Sequence, residues 1–382
     1  MLVSSPNSKL NINLIDRVVN QCLDRVTAPG TPIPSTSSYS FITSLLTHKT
    51  RRDFYHNGLY DMVANIIVQN PTKIHVSKAS AVLWSLTKHS HVHYGLLDFM
   101  ADKIAVRDPE LIYSPKTSFT NILSAFALPS NYKPTEDIYK TILESTHTKL
   151  CKEKTKFLLF KMLRHLFVLK YYPKHEISDW FEKYFKEALT SSTIMGMRSE
   201  FLDNTRVLYQ GICLESKITD CEELKQRLKP FVEELVAFES KEIESSAKSE
   251  TLEFALAQGL GGKNFIASNL YTDFGHLVDH VVVMRKGGYP VPINKDQSVT
   301  YISELEVPVD AKVFGIISLT RKDFCREPNL KKGDTEFRLR TLKSCGVTPI
   351  AIHLDGWEAL AEIEKIPYIM REIQENSSLN EK

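Results

Sequence analysis

Eight cations crowd into a short stretch near the middle of the chain: Lys149, Lys152, Lys154, Lys156, Lys161, Arg164, Lys170 and Lys174, against the single acid Glu153. Phe157, Phe160, Phe167, Tyr171 and Tyr172 are interleaved with them. Cations meet phosphates and aromatic faces stack on unpaired bases, so this mixture suits a single-stranded nucleic acid. It equally describes a solvated helix face whose aromatic residues are core, although an uncompensated run of this length repels itself. A second cluster lies further on: Arg321, Lys322, Arg326, Lys331, Lys332, Arg338, Arg340 and Lys343, diluted by Asp323, Glu327, Asp334 and Glu336. A basic edge and an ordinary polar surface both fit it.

Other motifs carry less chemistry. Asp273-Phe274-Gly275 spells a kinase triplet, but the Gly-rich loop, paired strand lysine and catalytic loop that phosphoryl transfer also needs are missing upstream. The triplet therefore reads as structural. Gly259-Leu260-Gly261-Gly262-Lys263-Asn264 lacks the first glycine of a phosphate loop and the Ser or Thr that would hold Mg²⁺. His89, His91 and His93 alternate, yet no carboxylate or cysteine lies near them in sequence, so they read as a loop rather than a metal site. No cofactor and no metal is expected.

Composition bounds the frame. The 382 residues suffice for two or three compact units, and the formal net charge of +2 makes the molecule no polycation, so attraction for a polyanion has to come from local clustering. The six cysteines are scattered without a CxxC pair, which argues against a zinc module or disulfide framework and fits a reducing compartment. No apolar run reaches the ~18–20 residues of a membrane helix. The N-terminus has neither the apolar stretch of a secretory signal nor a convincing organelle presequence, since Asp16 and Asp24 sit among Lys9, Arg17 and Arg25.

The elements that must position these residues are mostly helical. Residues 1–40 read as an N-terminal segment ending in a linker rich in Pro, Ser and Thr over 27–40. From 41 to 235 apolar residues recur at three and four positions. TNILSAFALPSNYKP and FKMLRHLFVLKYYPK can be overlaid, with Tyr132 and Tyr171, and Pro134 and Pro173, each 39 positions apart. A period near 40 residues predicts helical-hairpin repeats stacked as an α-solenoid, with an irregular bundle as the alternative. Residues 236–250 read as a charged linker or surface helix, and 251–310 as a connecting region holding a strand over 281–285 and a Lys286-Gly287-Gly288-Tyr289-Pro290 turn. Strand, helix, strand, helix over 311–372 predicts a small α/β domain, with Gly346 as the stop of its first helix and a polar tail over 373–382.

These residues resemble the FAST kinase family of helical-repeat proteins with a C-terminal RAP domain. The likeness rests on the strand from Val313 followed by Lys322-Asp323-Phe324-Cys325, the helix Thr335-Glu336-Phe337-Arg338-Leu339-Arg340-Thr341-Leu342, then Gly346-Val347, a strand and Trp357. Residues 118–190 and 198–239 are similar to the family's two middle regions, and Gly275-His276-Leu277-Val278-Asp279 to its strand leading into RAP. The resemblance implies a restriction-endonuclease-like RAP fold and a mitochondrial matrix protein. Its partners would be RNA, as single-stranded organelle transcripts, and RNA-processing proteins. The function it implies is in the processing, stability or translation of those transcripts. Expected RNA contacts are Lys149, Lys152, Lys154, Lys156, Lys161, Arg164, Lys170, Arg321, Lys322, Arg338 and Arg340. Two alternatives remain: a metal-dependent RNA endonuclease using Asp323 and Glu336, and a protein-binding helical scaffold. For the nuclease, Glu336-x-Arg338 replaces the Glu-x-Lys such enzymes use, and arginine handles protons poorly. Kinase activity has no support in the residues.

Overall fold

The computed structural model describes residues 55, 57–70, 74–113, 119–149, 156–173, 177, 198–215, 222–243, 250–293, 299–326 and 330–378. Residues 1–40, Lys152, Lys154 and Lys174 lie outside them, as do the side chains of Lys149, Lys156 and Phe157. The chain is mostly helical, with a small mixed sheet of five strands in its C-terminal part. It divides into two compact units, one of residues 1–155 with 325–333, the other of 156–324 with 334–382.

The first unit is built from α1 (Asn57–Gln69), α2 (Val76–Lys88), α3 (Tyr94–Ala105), the short α4 (Pro109–Tyr113), α5 (Phe119–Phe126) and α6 (Glu136–Lys149). The three-and-four spacing of apolar residues explains why they pack. In α1, Leu59, Met62, Val63, Ile66 and Ile67 form one buried stripe. In α2, Val76, Ala79, Val82, Leu83 and Leu86 do the same. α2 ends where Ser90 turns left-handed at φ 57° and the His91 amide donates to Leu86 O at 3.0 Å. Residues 325–333 belong to this unit although the chain on both sides of them belongs to the other. They are tied down by Arg326 N donating to Ser90 O at 2.7 Å and Gly333 N donating to Leu128 O at 2.9 Å.

The second unit opens with α7 (Lys156–Val168), α8 (Arg198–Leu214) and α9 (Glu222–Ile243), α8 packing against both neighbours. Phe160 and Phe167 of α7 are buried, Phe160 edge-on to Phe201 at 5.6 Å. These two phenylalanines are core. α7 ends as α2 does: Lys170 adopts φ 64° and Tyr171 N donates to Leu166 O at 2.9 Å. Residues 236–243, read as part of a charged linker or surface helix, are the last turns of α9, held by buried Val232, Leu235 and Val236.

The sheet runs β1-β2-β4-β5, with β1 (Ile266–Tyr271), β2 (Leu277–Arg285), β3 (Tyr289–Pro290), β4 (Ala311–Leu319) and β5 (Val347–His353); β3 pairs with the end of β2. β1, β3 and β4 are antiparallel to β2, and β5 is parallel to β4. Strand alternation sends Val282, Met284, Phe314 and Ile316 to one core, under α10 (Glu250–Leu260), α12 (Leu354–Ala359) and α13 (Glu362–Ser378). Val281, Ile317 and Leu319 face the other core, against Leu339 and Leu342 of α11 (Gly333–Ser344). One sheet thus spans the expected divide at residue 310, because β2 is the antiparallel partner of β4 and β1 extends the sheet beyond β2. The single closing helix expected after Trp357 is two, α12 and α13. Gly346 ends α11 at φ +86°, as its position in the sequence suggested.

Candidate functional site

In the second unit α7, α8, α9, the start of β2 and the start of α11 surround a cavity of about 750 Å³. Helical spacing puts Asp203, Arg206, Val207 and Gln210 on one face of α8, and Asp334, Thr335 and Arg338 on one face of α11. Arg164 comes from α7, Glu239 from α9, His276 and Leu277 from the entry to β2, and Asp323 from the 3₁₀ turn after β4.

Five of these form a ladder of alternating charge. Asp334 accepts from Arg164 at 3.2 Å, Arg164 donates to Asp203 at 2.6 Å, Asp203 accepts from Arg206 at 2.6 Å, and Arg206 donates to Glu239 at 2.9 Å. Burial pushes the Asp203 carboxyl up, but the guanidinium groups of Arg164 and Arg206 outweigh it and hold the group below the usual carboxylate range. Burial likewise opposes the charge on Arg164, and Asp334 and Asp203 more than restore it. The ladder ties α7, α8, α9 and α11 together.

Arg338 stands apart from it. One Nη donates to Leu277 O at 2.6 Å, and no carboxylate among the described residues lies within ion-pairing distance. Burial holds its guanidinium below its ordinary basicity, against the weaker pull of Asp279 and Asp323. Beneath it His276 is buried, its Nδ1 2.8 Å from Thr272 Oγ1 and its Nε2 2.7 Å from Thr341 Oγ1. Thr341 Oγ1 donates to Phe337 O at 2.8 Å, so the ring is a neutral Nε2–H tautomer that donates to Thr341 and accepts from Thr272. Burial lowers its pKa to about 3.

The expected RNA contacts separate into groups. Lys161 pairs with Glu200 at 3.0 Å, Arg164 sits in the ladder, and Arg340 pairs with Glu215, which also accepts from Tyr172. Lys170 and Lys322 are exposed and without an ion pair among the described residues, and Arg321 is exposed beside Lys322. Arg338 lines the cavity. Of the two nuclease candidates, Asp323 caps its own turn, accepting from Thr320 N at 2.8 Å and Thr320 Oγ1 at 2.9 Å. It lines the cavity and Glu336 does not. Among the described residues no three His, Cys, Asp or Glu side chains stand close enough to hold a metal.

The remaining motifs are structural. Asp273-Phe274-Gly275 is the β1–β2 turn, with Gly275 at φ +76° and an added Cβ there only 2.6 Å from Val232 Cγ1. His93 caps α3, accepting from Leu96 N at 3.1 Å. His91 is buried between Tyr55 OH at 2.8 Å and Asp61 at 2.9 Å, so the fold supplies the carboxylate its sequence neighbours do not.

Sequence reading missed Asp203, Arg206 and Glu239. One signal was present: Lys161 and Glu200, and Arg164 and Asp203, are each 39 positions apart, the same interval that separates Tyr132 from Tyr171. No family model matches the sequence, and no curated protein matches it. Among the described residues, no helix is long and apolar enough to cross a membrane.

Proposed function

We propose that this chain is an RNA-binding protein of the kind its sequence resembles, helical hairpins followed by a RAP-like α/β domain, acting on single-stranded mitochondrial transcripts without kinase activity of its own. The observation that carries the RNA reading is Arg338. A guanidinium bonded to one carbonyl, with no carboxylate of the described residues within ion-pairing distance and only the longer-range pull of Asp279 and Asp323, is a charge without a direct counterion in an open cavity. A backbone phosphate fits that need, because arginine matches its geometry and the cavity is large enough to admit one nucleotide. Exposed Lys170 and Lys322 add cations that no acid among the described residues neutralises.

The architecture supports the same reading. The left-handed caps at Ser90 and Lys170 share their hydrogen-bond pattern and are 80 residues apart, about twice the interval between Tyr132 and Tyr171. The β4–α11–β5 crossover onto a parallel strand carries the Arg338 helix that the resemblance singles out. The mitochondrial setting and the role in transcript processing, stability or translation come with that resemblance.

Fluorescence anisotropy of labelled single-stranded RNA at several salt concentrations tests the proposal. Binding weakens as salt rises, and Arg338→Gln reduces the log–log slope by about 0.7, the contribution of one phosphate contact on a single strand. Absence of RNA binding at low salt would refute it.

A further inference from the structure

A second pocket of the same unit, about 360 Å³, opens at the turn between β2 and β3. Sequence reading took Lys286-Gly287-Gly288-Tyr289-Pro290 only as a turn. Gly288 N donates to Arg285 O at 3.1 Å, and Gly287 at φ +89° occupies the third position of that turn, where a type II geometry demands glycine. Gly288 follows at φ +82° with nothing within 4 Å of where its Cβ would be. At Gly287 the same position is 3.2 Å from the Tyr289 ring, so it is Gly288 that presents bare backbone to solvent, which allows a ligand to approach it closely.

Charge is concentrated around that bare backbone. Arg285, Lys286 and Lys312 line the pocket and are all exposed, and the one acid lining it is Asp310. Asp310 stands 3.7 Å from Arg285 Nε, so the acid offsets the arginine and the three cations and one acid leave the pocket a net charge of +2 on Lys286 and Lys312. Lys286 and Lys312 carry no ion pair among the described residues. Lys312 is the cross-strand partner of Met284, and buried Met284 and Phe314 line the pocket with it, an apolar surface along which the stem of an exposed lysine can lie. On the other face of the hairpin Tyr289, cross-strand to Arg285, is 70% exposed. A large ring left in water, on the same face as Arg285 and against Gly287, is what a stacked base uses.

We propose that this pocket seats a backbone phosphodiester of single-stranded RNA, with Lys286 and Lys312 as its cationic contacts, the Gly287–Gly288 backbone as its floor and Tyr289 stacking on a neighbouring base. The inference rests on the RNA reading above and names a place for it that Arg338 does not supply. Lysine serves as a compact point charge for phosphate, and the glycines remove the side chains that would hold a phosphate oxygen away from the backbone. The pocket is the size of a single nucleotide and not of a duplex.

The test uses the full chain. Lys286→Gln with Lys312→Gln lowers affinity for labelled single-stranded RNA about tenfold near physiological salt, and shrinks the log–log salt slope by about 1.4, two contacts of about 0.7 each. Tyr289→Ala weakens binding about tenfold with the slope unchanged, because stacking releases no counterions. Lys229→Gln, on the exposed face of α9, leaves both quantities unchanged. All these residues are exposed, so urea midpoints stay at the wild-type value and report that each variant folds. In parallel, inorganic phosphate is titrated while the amide resonances of Gly287 and Gly288 are followed by NMR, and it shifts both in the wild type only.

Each contrary outcome has its own meaning. An unchanged slope in the double lysine variant overturns the pocket and leaves the Arg338 reading standing. Phosphate shifts at the glycines without any RNA binding overturn the phosphodiester assignment in favour of a free phosphate. Wild-type protein that binds no RNA at low salt overturns both proposals together.

Discussion

His276 is the sharpest handle on how the second unit holds together. The ring is buried and neutral between two threonine hydroxyls, with its pKa lowered from 6.5 to about 3 by burial and then by Arg206 and Arg338. A folded-state pKa below the unfolded one means the unfolded chain takes up the extra proton as pH falls. The stability this residue contributes is therefore complete above about pH 6.5 and drains away toward pH 3. Each pH unit is worth about 1.4 kcal/mol, so from neutral pH to pH 5.0 the loss from this one ring is about 2 kcal/mol. His276→Gln keeps a side chain that can bridge Thr272 and Thr341 but cannot be protonated. At pH 7.5 the variant is less stable than wild type by about 1–3 kcal/mol, the range for disturbing a buried hydrogen bond. By pH 5.0 the wild type has lost about 2 kcal/mol that the variant keeps, and the gap narrows by that amount. Urea unfolding of both proteins at the two pH values measures it, and the difference between them cancels the remaining titrating groups. A gap independent of pH would show that His276 is solvated or already charged, and would refute the reasoning.

Gly211→Ala tests close packing of α7 against α8. An added Cβ there would lie 2.3 Å from Phe167 Cδ2, so the variant loses about 1–3 kcal/mol in thermal unfolding although alanine is the better helix former by up to about 1 kcal/mol. Pairing it with Phe167→Leu recovers part of that loss, which a double-mutant cycle reads directly. Asp203→Asn takes from Arg164 and Arg206 the partner they share and leaves each with one carboxylate, Asp334 and Glu239. At about one-third exposure of the carboxylate, a cost of roughly 2 kcal/mol at pH 7 is expected in urea denaturation. Because the Asp203 pKa is depressed, that cost is present above about pH 4 and shrinks as pH falls further.

Much of the fold was legible because periodicity is local. The buried stripes of α1 and α2 and the β-branched runs of β2 and β4 announce themselves within ten residues. The glycine stop at Gly346 did the same for the end of α11. Legibility failed where partners are remote. β1, Ile266–Tyr271, has a mixed burial pattern and gives no clean alternation, so the first strand was expected at 281–285, fifteen residues after β1 begins. Nothing in the composition of the 325–333 segment says that amides in it bond to Ser90 and Leu128 more than 190 residues earlier. Asp203 and Arg206 are neighbours on α8, but the partner of Arg164 on that helix is 39 residues away and the second partner of Arg206, Glu239 on α9, is 33 away.

The charge pattern shows why a run of cations cannot be read as a surface. Lys161 and Arg164 look uncompensated along their own helix, since an acid at i+4 is the only partner a linear scan can see. On the folded chain α8 lies against α7, and Glu200 and Asp203, themselves three residues apart, meet Lys161 and Arg164, three residues apart in the same direction. Opposite charges at matching spacing on two packed helices fix register, and they remove those cations from any track open to a polyanion. What remains for a phosphate is the reverse selection: cations whose surroundings hold no spare acid. Among the described residues Lys286 and Lys312 meet that condition beside glycine backbone, and Arg338 comes near it, with no carboxylate within ion-pairing distance in a cavity whose other guanidinium groups are paired. Neither place is the densest in basic residues along the sequence. Density counts charges of one sign, whereas binding a polyanion depends on those left over after the fold has paired the rest.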